Sequence, residues 1–341
     1  MHDHRSVGEA PAADFGNVRA EFAALVSGCG VFDLGGRAKL RVSGEDRVRW
    51  LNGMVTNNVR DLAPGQGVYA FLLNPQGRIL DDLYVYNHGD SLLLDVDGAR
   101  VPQLLELFDH YIIMDDVEVV NVSEEWTAIG VAGARAAEVL AKAGLSPELA
   151  PLQFAETSGP LGKVVLVRGD HPAVAAYELW VAPGEATKVW DGLVRGGATP
   201  AGASAVELSR IAAGVPRYGQ DIRERDLPQE TGQERALNFS KGCYIGQEIV
   251  ERIRSRGNVH RMFGGFRIDG ALPAPGTKLQ AEGKEVGEIT SSASLPVNGG
   301  EMSVALGYIR REAANKVVQA GAATAAVAAT PFAGVFPGSI R

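Results

Sequence analysis

The chain has 341 residues, of which 45% are apolar and 22% charged, and its net charge is −8. This length points to two or three domains around a sizeable core, and the acidic balance argues against a protein that coats nucleic acid. Two cysteines, Cys29 and Cys243, exclude a disulfide framework and cannot hold an iron–sulfur cluster alone.

The first 14 residues are polar and read as disordered. His2 and His4 have metal-ligand spacing there, but a structural zinc needs four placed ligands. The N-terminus lacks the order of a signal peptide, and the least polar stretch, residues 317–335, is too rich in alanine to span a bilayer. The expectation is a soluble, cytoplasmic protein with no direct membrane contact. Residues 17–27 predict a short amphipathic helix, residues 38–42 alternate as a strand, and Gly44 turns the chain into a helical pattern over 46–51. Residues 67–73 and 79–86 read as strands joined by the hairpin turn Asn74-Pro-Gln-Gly77. A strand at 91–96 and a helix over 100–113, with Pro102 in its first turn, follow.

A second cycle of the same kind comes next: strand 126–131, helix 134–142, strands 163–168 and 176–182, helix 185–194. The repeat implies an α+β class with two related α+β units, approximately 15–121 and 122–258, rather than alternating parallel βαβ. A helix over 204–214 stops at Gly214 with Pro216 beyond, and residues 215–240 are loop-rich. From residue 259 to 341 the texture changes to short strands and Gly/Pro turns, which predicts a separate small β-barrel or sandwich.

Two carboxylates stand on predicted strands. In Ile79-Leu-Asp-Asp-Leu-Tyr-Val-Tyr86, alternation puts Asp82 with Tyr84 and Tyr86 on one face and Asp81 with Leu83 and Val85 on the other. In Ala176-Tyr-Glu-Leu-Trp-Val181, Glu178 and Trp180 share a face. A carboxylate in mid-strand is costly unless paired, so each acid either meets an arginine or awaits a ligand. The ligand that fits is a flat, nitrogen-rich heterocycle stacked on aromatics and hydrogen-bonded by a carboxylate. Such charge-assisted bonds are worth ~1.5–3 kcal/mol each, and a pterin offers that donor edge.

The segment Lys241-Gly-Cys-Tyr-Ile-Gly-Gln-Glu248, trailed by Arg252, Arg254, Arg256 and Arg261, is the most distinctive in the chain. Nearby cations favour a thiolate, so Cys243 is either an activated thiol or a small buried hydrophobe. On an extended segment the arginines at 252, 254 and 256 would share one face. They would then form either a solvated surface or an anion cradle for a folate tail, a phosphate or a piece of RNA backbone. No dinucleotide, phosphate-loop or nucleophile-elbow signature is present, and the nucleic-acid signal is weak.

The cysteine motif resembles the signature of YgfZ-type folate-binding proteins, relatives of the glycine-cleavage T-protein that include mitochondrial iron–sulfur assembly factors. The resemblance runs over nearly the whole chain, through Phe32-Asp33, Thr56-Asn57, Gly77-Arg-Ile-Leu-Asp-Asp-Leu83, Tyr177-Glu178, Tyr218-Gly-Gln-Asp-Ile222 and Leu306-Gly-Tyr308. It implies two interwoven α+β units forming a folate-binding module over residues 15–258, a C-terminal β-barrel, and a central site for tetrahydrofolate or a one-carbon derivative. It further implies that Asp82 lies near the reacting folate nitrogens and that Glu178 holds the pterin edge. Cys243 and Asp82 are the candidate catalytic groups; Asp82, Glu178, Tyr84, Trp180, Lys241 and Arg252 are the candidate folate contacts. The chain departs from T-proteins in having Gly35-Gly36 for Ser-His, Gly169-Asp-His-Pro before the pterin acid, and Val206 in place of an arginine. The function implied is therefore an accessory protein for iron–sulfur enzymes, some of them tRNA-modifying, with those enzymes or their assembly factors as partners. A folate-dependent aminomethyltransferase or demethylase, and a non-enzymatic scaffold, are the alternatives.

Overall fold

The computed structural model describes residues 11–257 and 259–337. In chain order the first half runs α1 (Val18–Ser27), β1 (Gly30–Asp33), β2 (Arg37–Ser43), α2 (Arg47–Met54), β3 (Gly67–Leu73), β4 (Ile79–Asn87), β5 (Leu92–Asp97), α3 (Val101–Tyr111) and β6 (Glu118–Asn121). The second runs β7 (Thr127–Ala132), α4 (Ala136–Lys142), β8 (Phe154–Gly159), β9 (Gly162–Arg168), β10 (Ala176–Val181), α5 (Ala186–Arg195), β11 (Thr199–Pro200), α6 (Ala203–Ala213) and α7 (Gln247–Arg256). Six further strands end it: β12 (Arg261–Asp269), β13 (Lys278–Ala281), β14 (Lys284–Val297), β15 (Gly300–Arg310), β16 (Val318–Ala320) and β17 (Ala323–Ala328).

The strands make a five-stranded sheet in the order β3-β4-β5-β2-β6, a six-stranded sheet in the order β11-β1-β7-β10-β9-β8, and a closed barrel. The two halves are interwoven: β1 leaves the first half and pairs antiparallel with β7 of the second, Phe32 opposite Gly130. Each sheet buries one face under its own helices. Leu40, Leu83, Val85 and Leu94 pack with Trp50 and Phe108 beneath the first. Ile129, Val131, Leu166 and Leu179 pack with Val189, Trp190 and Leu193 beneath the second. Full burial of each such side chain is worth ~1.5–3 kcal/mol. The opposite faces of the two sheets meet each other around Tyr86, Leu93, Phe154, Val165 and Trp180.

The helix α1 pairs with α6, and both rest on the barrel through Phe22, Leu25, Ile211, Leu295 and Leu306. Gly214 ends α6 in the left-handed region, at φ 74°, where glycine carries no steric cost. Residues 12–13 accept hydrogen bonds from Ala203 and Ser204 at the start of α6. Part of the segment expected to be disordered is thus paired, because the α6 N-terminus leaves backbone donors that need acceptors. His2 and His4 lie outside the described residues. No helix among the described residues is long and apolar enough to cross a membrane.

Four strands escape the sequence reading: β1, β6, β8 and β11. They are short or lie at exposed edges, so neither length nor alternation marks them. The helix α7 also escapes it, and it overturns the extended arginine segment. Residues 252 and 256 are one helical turn apart, while Arg254 turns away to stack on Phe239 at 4.4 Å.

Candidate functional site

On the open face of the first sheet, strand pairing sets Tyr69, Tyr84, Asp95 and Lys39 side by side across four strands. One step along, Phe71 pairs with Asp82, and Asp97 with Arg37. Alternation therefore delivers a row of polar side chains to the inter-sheet space. From the second sheet, β10 presents Glu178 and Trp180 to the same space, with Glu178 beside Gly130 and Val167. The contact across the gap is direct. Tyr86 meets Trp180 edge-on at 5.0 Å, and the Lys39 ammonium lies 4.3 Å over the indole ring.

The charges in this space are ordered around Asp95. It is buried and accepts from Lys39 Nζ at 2.8 Å and from Arg37 Nε at 3.1 Å. Burial alone would push its carboxyl up, but the two cations outweigh it and hold it below the usual range. Asp82 and Glu178 are each raised by burial first. The Tyr69 hydroxyl, which donates to Asp82 Oδ2 at 2.6 Å, and the Arg37 charge restrain that rise at Asp82. At Glu178 the negative charge of Asp95 adds to the rise, while Lys39, Arg37 and the Trp180 indole N–H oppose it. That N–H donates to Glu178 Oε2 at 2.8 Å. Both acids thus act on one guanidinium, Arg37, from opposite sheets.

Asp81 has the other fate open to a mid-strand acid. It faces the core fully buried, with Arg100 Nε 2.8 Å from Oδ2, and burial lifts its carboxyl to about 6. Of the aromatics, Tyr84 is half-buried and donates to Asp170 at 3.1 Å, in the loop between β9 and β10. Arg235 pairs with the same Asp170 and covers the Tyr69 ring at 4.3 Å. Trp180 is fully buried with Lys39 on its face, so its part is to hold Glu178 rather than to stack on a ligand.

The cysteine motif meets the open face of the first sheet through Tyr244, which packs with Tyr69 and Phe71. Lys241 does not face the thiol. Its buried ammonium donates to three carbonyls around the end of α2, those of Asn52 and Val55 at 2.5 Å and Asn57 at 2.8 Å. Burial and the charge of Arg60 press its pKa down to about 7, but a neutral amine has only two N–H donors for the three acceptors. The geometry is that of the ammonium, with no proton spare for a ligand, which corrects the expected folate contact. The cation beside the loop is Arg60, 3.2 Å from where a Cβ on Gly242 would stand.

Cys243 is exposed, whereas Tyr244 turns inward against Tyr69, Phe71 and Ile79. The glycines of the motif have a packing reason. A Cβ on Gly246 would come within 2.6 Å of the Asn74 carbonyl, and one on Gly77 within 2.7 Å of Ile249. The β3–β4 hairpin and the start of α7 thus press together at two bare backbones. Arg252 is exposed on α7, and Arg261 is tied to Asp226 at 2.7 Å and Glu230 at 3.0 Å. The extended cradle of Arg252, Arg254 and Arg256 is not formed.

Sequence reasoning overlooked Arg37, Lys39, Asp95 and Asp170. The alternation Arg37-Ala-Lys-Leu-Arg41, with cations opposite an apolar face, was the signal available for the first two. As a donor set, the space offers half-buried carboxylates, a tyrosine wall and an unsaturated guanidinium. That chemistry suits a polar aromatic heterocycle with both donors and acceptors on its rim.

Comparison with known proteins agrees with this architecture. Residues 9–241 match the GCVT N-terminal domain, and residues 261–333 match the CAF17, C-terminal beta-barrel domain. An aminomethyltransferase of Halothermothrix orenii is 30% identical over 331 residues, covering 92% of this chain and 90% of its own length. One from Rubrobacter xylanophilus is 29% identical over 302 residues, covering 87% and 80%. The crystal structure of glycine cleavage system aminomethyltransferase T from Bartonella henselae shares the fold, with a TM-score of 0.82 at 22% identity over 94% of this chain and 90% of that one.

Proposed function

Because the chain belongs to the GCVT N-terminal domain family and closes with a CAF17 C-terminal β-barrel, we propose that it is a tetrahydrofolate-binding accessory protein supporting iron–sulfur enzymes. The observation that carries the folate part is that two separate sheets turn Asp82, held by Tyr69, and Glu178, held by Trp180, into one inter-sheet space, across which Tyr86 and Lys39 touch the Trp180 ring. In this reading Glu178, steadied by Trp180, accepts from the amino and ring N–H groups of the pterin. Asp82, steadied by Tyr69, faces the reduced ring nitrogens. Tetrahydrofolate or a one-carbon derivative supplies the carrier chemistry, while these residues bind and orient it. Tyr84 and Tyr69 provide the aromatic wall, at 5.0 Å from one another.

The iron–sulfur part rests on the barrel family and on Cys243, whose exposure leaves the thiol reachable by a partner. The clients would be iron–sulfur enzymes, including tRNA-modifying ones, in a reducing cytoplasm. The domain division at residues 258–259 belongs to the same proposal. The names of the relatives favour a second reading, aminomethyl or methyl transfer, in which Asp82 stabilises charge on the folate nitrogen as the carbon moves.

A thermal shift with tetrahydrofolate tests the binding reading. Ligand at 100 times its dissociation constant should stabilise the protein by ~2.7 kcal/mol. No shift at saturating ligand would remove it. Turnover of an aminomethyl donor, lost in Asp82→Asn, would move the weight to the second reading.

A further inference from the structure

Arg37 has a place in the site that neither its strand nor its ion pair accounts for. Its Nε and Nη2 are committed to Asp95, the first to the side chain at 3.1 Å and the second to the backbone carbonyl at 2.9 Å. Its Nη1 makes no hydrogen bond among the described residues, and the side chain is 27% exposed. The fork is therefore rigid at one end and open at the other. The other cations of the site are not free in this way. Lys39 is sealed between Asp95 and Trp180, and Arg235 is held by Asp170 over Tyr69.

The rim of a pterin presents an amino donor, a ring N–H donor and then a carbonyl acceptor at position 4. A carboxylate can satisfy the first two and repels the third. A site that holds this rim needs an N–H donor next to its carboxylate, and a guanidinium fixed by a second acid is suited to it. Arg37 is near Glu178 in the fold: it shares Asp95 Oδ1 with Lys39, Lys39 lies 4.3 Å over the Trp180 ring, and the Trp180 indole N–H holds Glu178.

We propose that Arg37 reads the 4-oxo group of the bound pterin and thereby selects 4-oxo folates over 4-amino ones. This role rests on the folate reading above. A 4-amino group would turn a donor toward the Arg37 donor, and its tautomer also removes the ring N3–H that Glu178 accepts, so Arg37 and Glu178 each contribute to the preference. Arg37 is in this sense a specificity-determining residue, and nothing in the family match or in the names of the relatives assigns it.

The test is calorimetric titration of the wild-type protein with tetrahydrofolate and with its 4-amino counterpart bearing the same tail. The titrations are repeated on Arg37→Gln and Arg37→Lys. The wild type should prefer the 4-oxo compound by about 10- to 100-fold. Arg37→Gln, whose amide can accept as well as donate, should lose the Arg37 share of that preference and keep the share that Glu178 supplies, and Arg37→Lys should lose less. Equal affinity of the wild type for both compounds overturns the proposal even if no variant folds. Full preference retained in a folded Arg37→Gln also overturns it. Binding of neither compound by the wild type is a different result, which removes the folate reading and this role with it.

Discussion

Two polar seams run through this protein, one between its sheets and one between its sheets and its barrel, and they are built differently. At the barrel seam, Asp221 accepts on Oδ1 from the hydroxyls of Thr290 and Ser291, and on Oδ2 from Arg210 and the Arg217 amide. Asp226 likewise has both oxygens occupied, by Arg261 on one side and by Tyr308 and the Arg223 amide on the other. At the inter-sheet seam, Asp82 and Glu178 each accept from one side-chain donor on one oxygen. A buried charge is tolerable when its partners saturate it and is otherwise expensive. Saturation marks the barrel seam as a structural joint, and the unsaturated acids of the inter-sheet seam are where the proposed folate would bind.

The largest effect should follow from breaking the saturated joint. Asp221→Ala leaves buried Arg210 with Glu207 as its one remaining carboxylate among the described residues and should cost ~3–5 kcal/mol of unfolding free energy by denaturant titration. A loss below ~1 kcal/mol would erase the distinction between the seams.

Asp81 stands between the two cases, buried and paired with Arg100. Its folded pKa, about 6, lies above its unfolded value, so the folded state holds the extra proton between roughly pH 4 and 6. Its stabilising contribution is complete below pH ~4 and fades as pH rises through ~6, a change of ~3 kcal/mol. The stability of wild type relative to Asp81→Asn should accordingly be greater at pH 4 than at pH 7, and an advantage that grows toward pH 7 would refute the assignment.

Glu178→Gln sharpens the contrast at the unsaturated seam. It should weaken tetrahydrofolate binding by about 10- to 100-fold, or ~1.5–3 kcal/mol, while the melting midpoint of the free protein stays nearly constant. Parallel loss of stability and affinity would make Glu178 another structural acid. The smallest effect on stability is expected at the exposed thiol. Cys243→Ala should lie within ~0.5 kcal/mol of wild type. If the proposed accessory role holds, the same change in cells should abolish the activity of the proposed iron–sulfur clients, and normal activity of those enzymes would refute the role of the thiol.

Much of the frame was legible in the chain. The hairpin at Asn74-Pro-Gln-Gly77 lies between β3 and β4 as its turn chemistry demands: Gly77 has φ 70° and its N–H bonds the Asn74 carbonyl at 2.9 Å. Alternation placed Asp82 opposite Asp81 on β4 and Glu178 with Trp180 on β10, since a strand's period of two needs no tertiary information. The roles within those faces were less accessible. Trp180 has the residue type of a stacking platform, yet Lys39, far away in sequence, covers it. Lys241 has the spacing of a thiol activator, yet the end of α2 takes its protons.

From its own order of residues, this chain determines its strands, its turns and which side of each strand is polar, because those depend on neighbours along the backbone. It also determines the bare glycines at 77 and 246, each needed for a left-handed φ. What only the tertiary structure decided is which charge meets which. Arg37 meets Asp95 from 58 residues away, and Thr290 and Ser291 meet Asp221 from 69 and 70 residues away, so whether an acid is saturated or left open depends on partners distant in the chain. Coulomb and hydrogen-bond energies fall off over a few ångströms of space rather than of sequence, so that distinction exists only once the sheets have met.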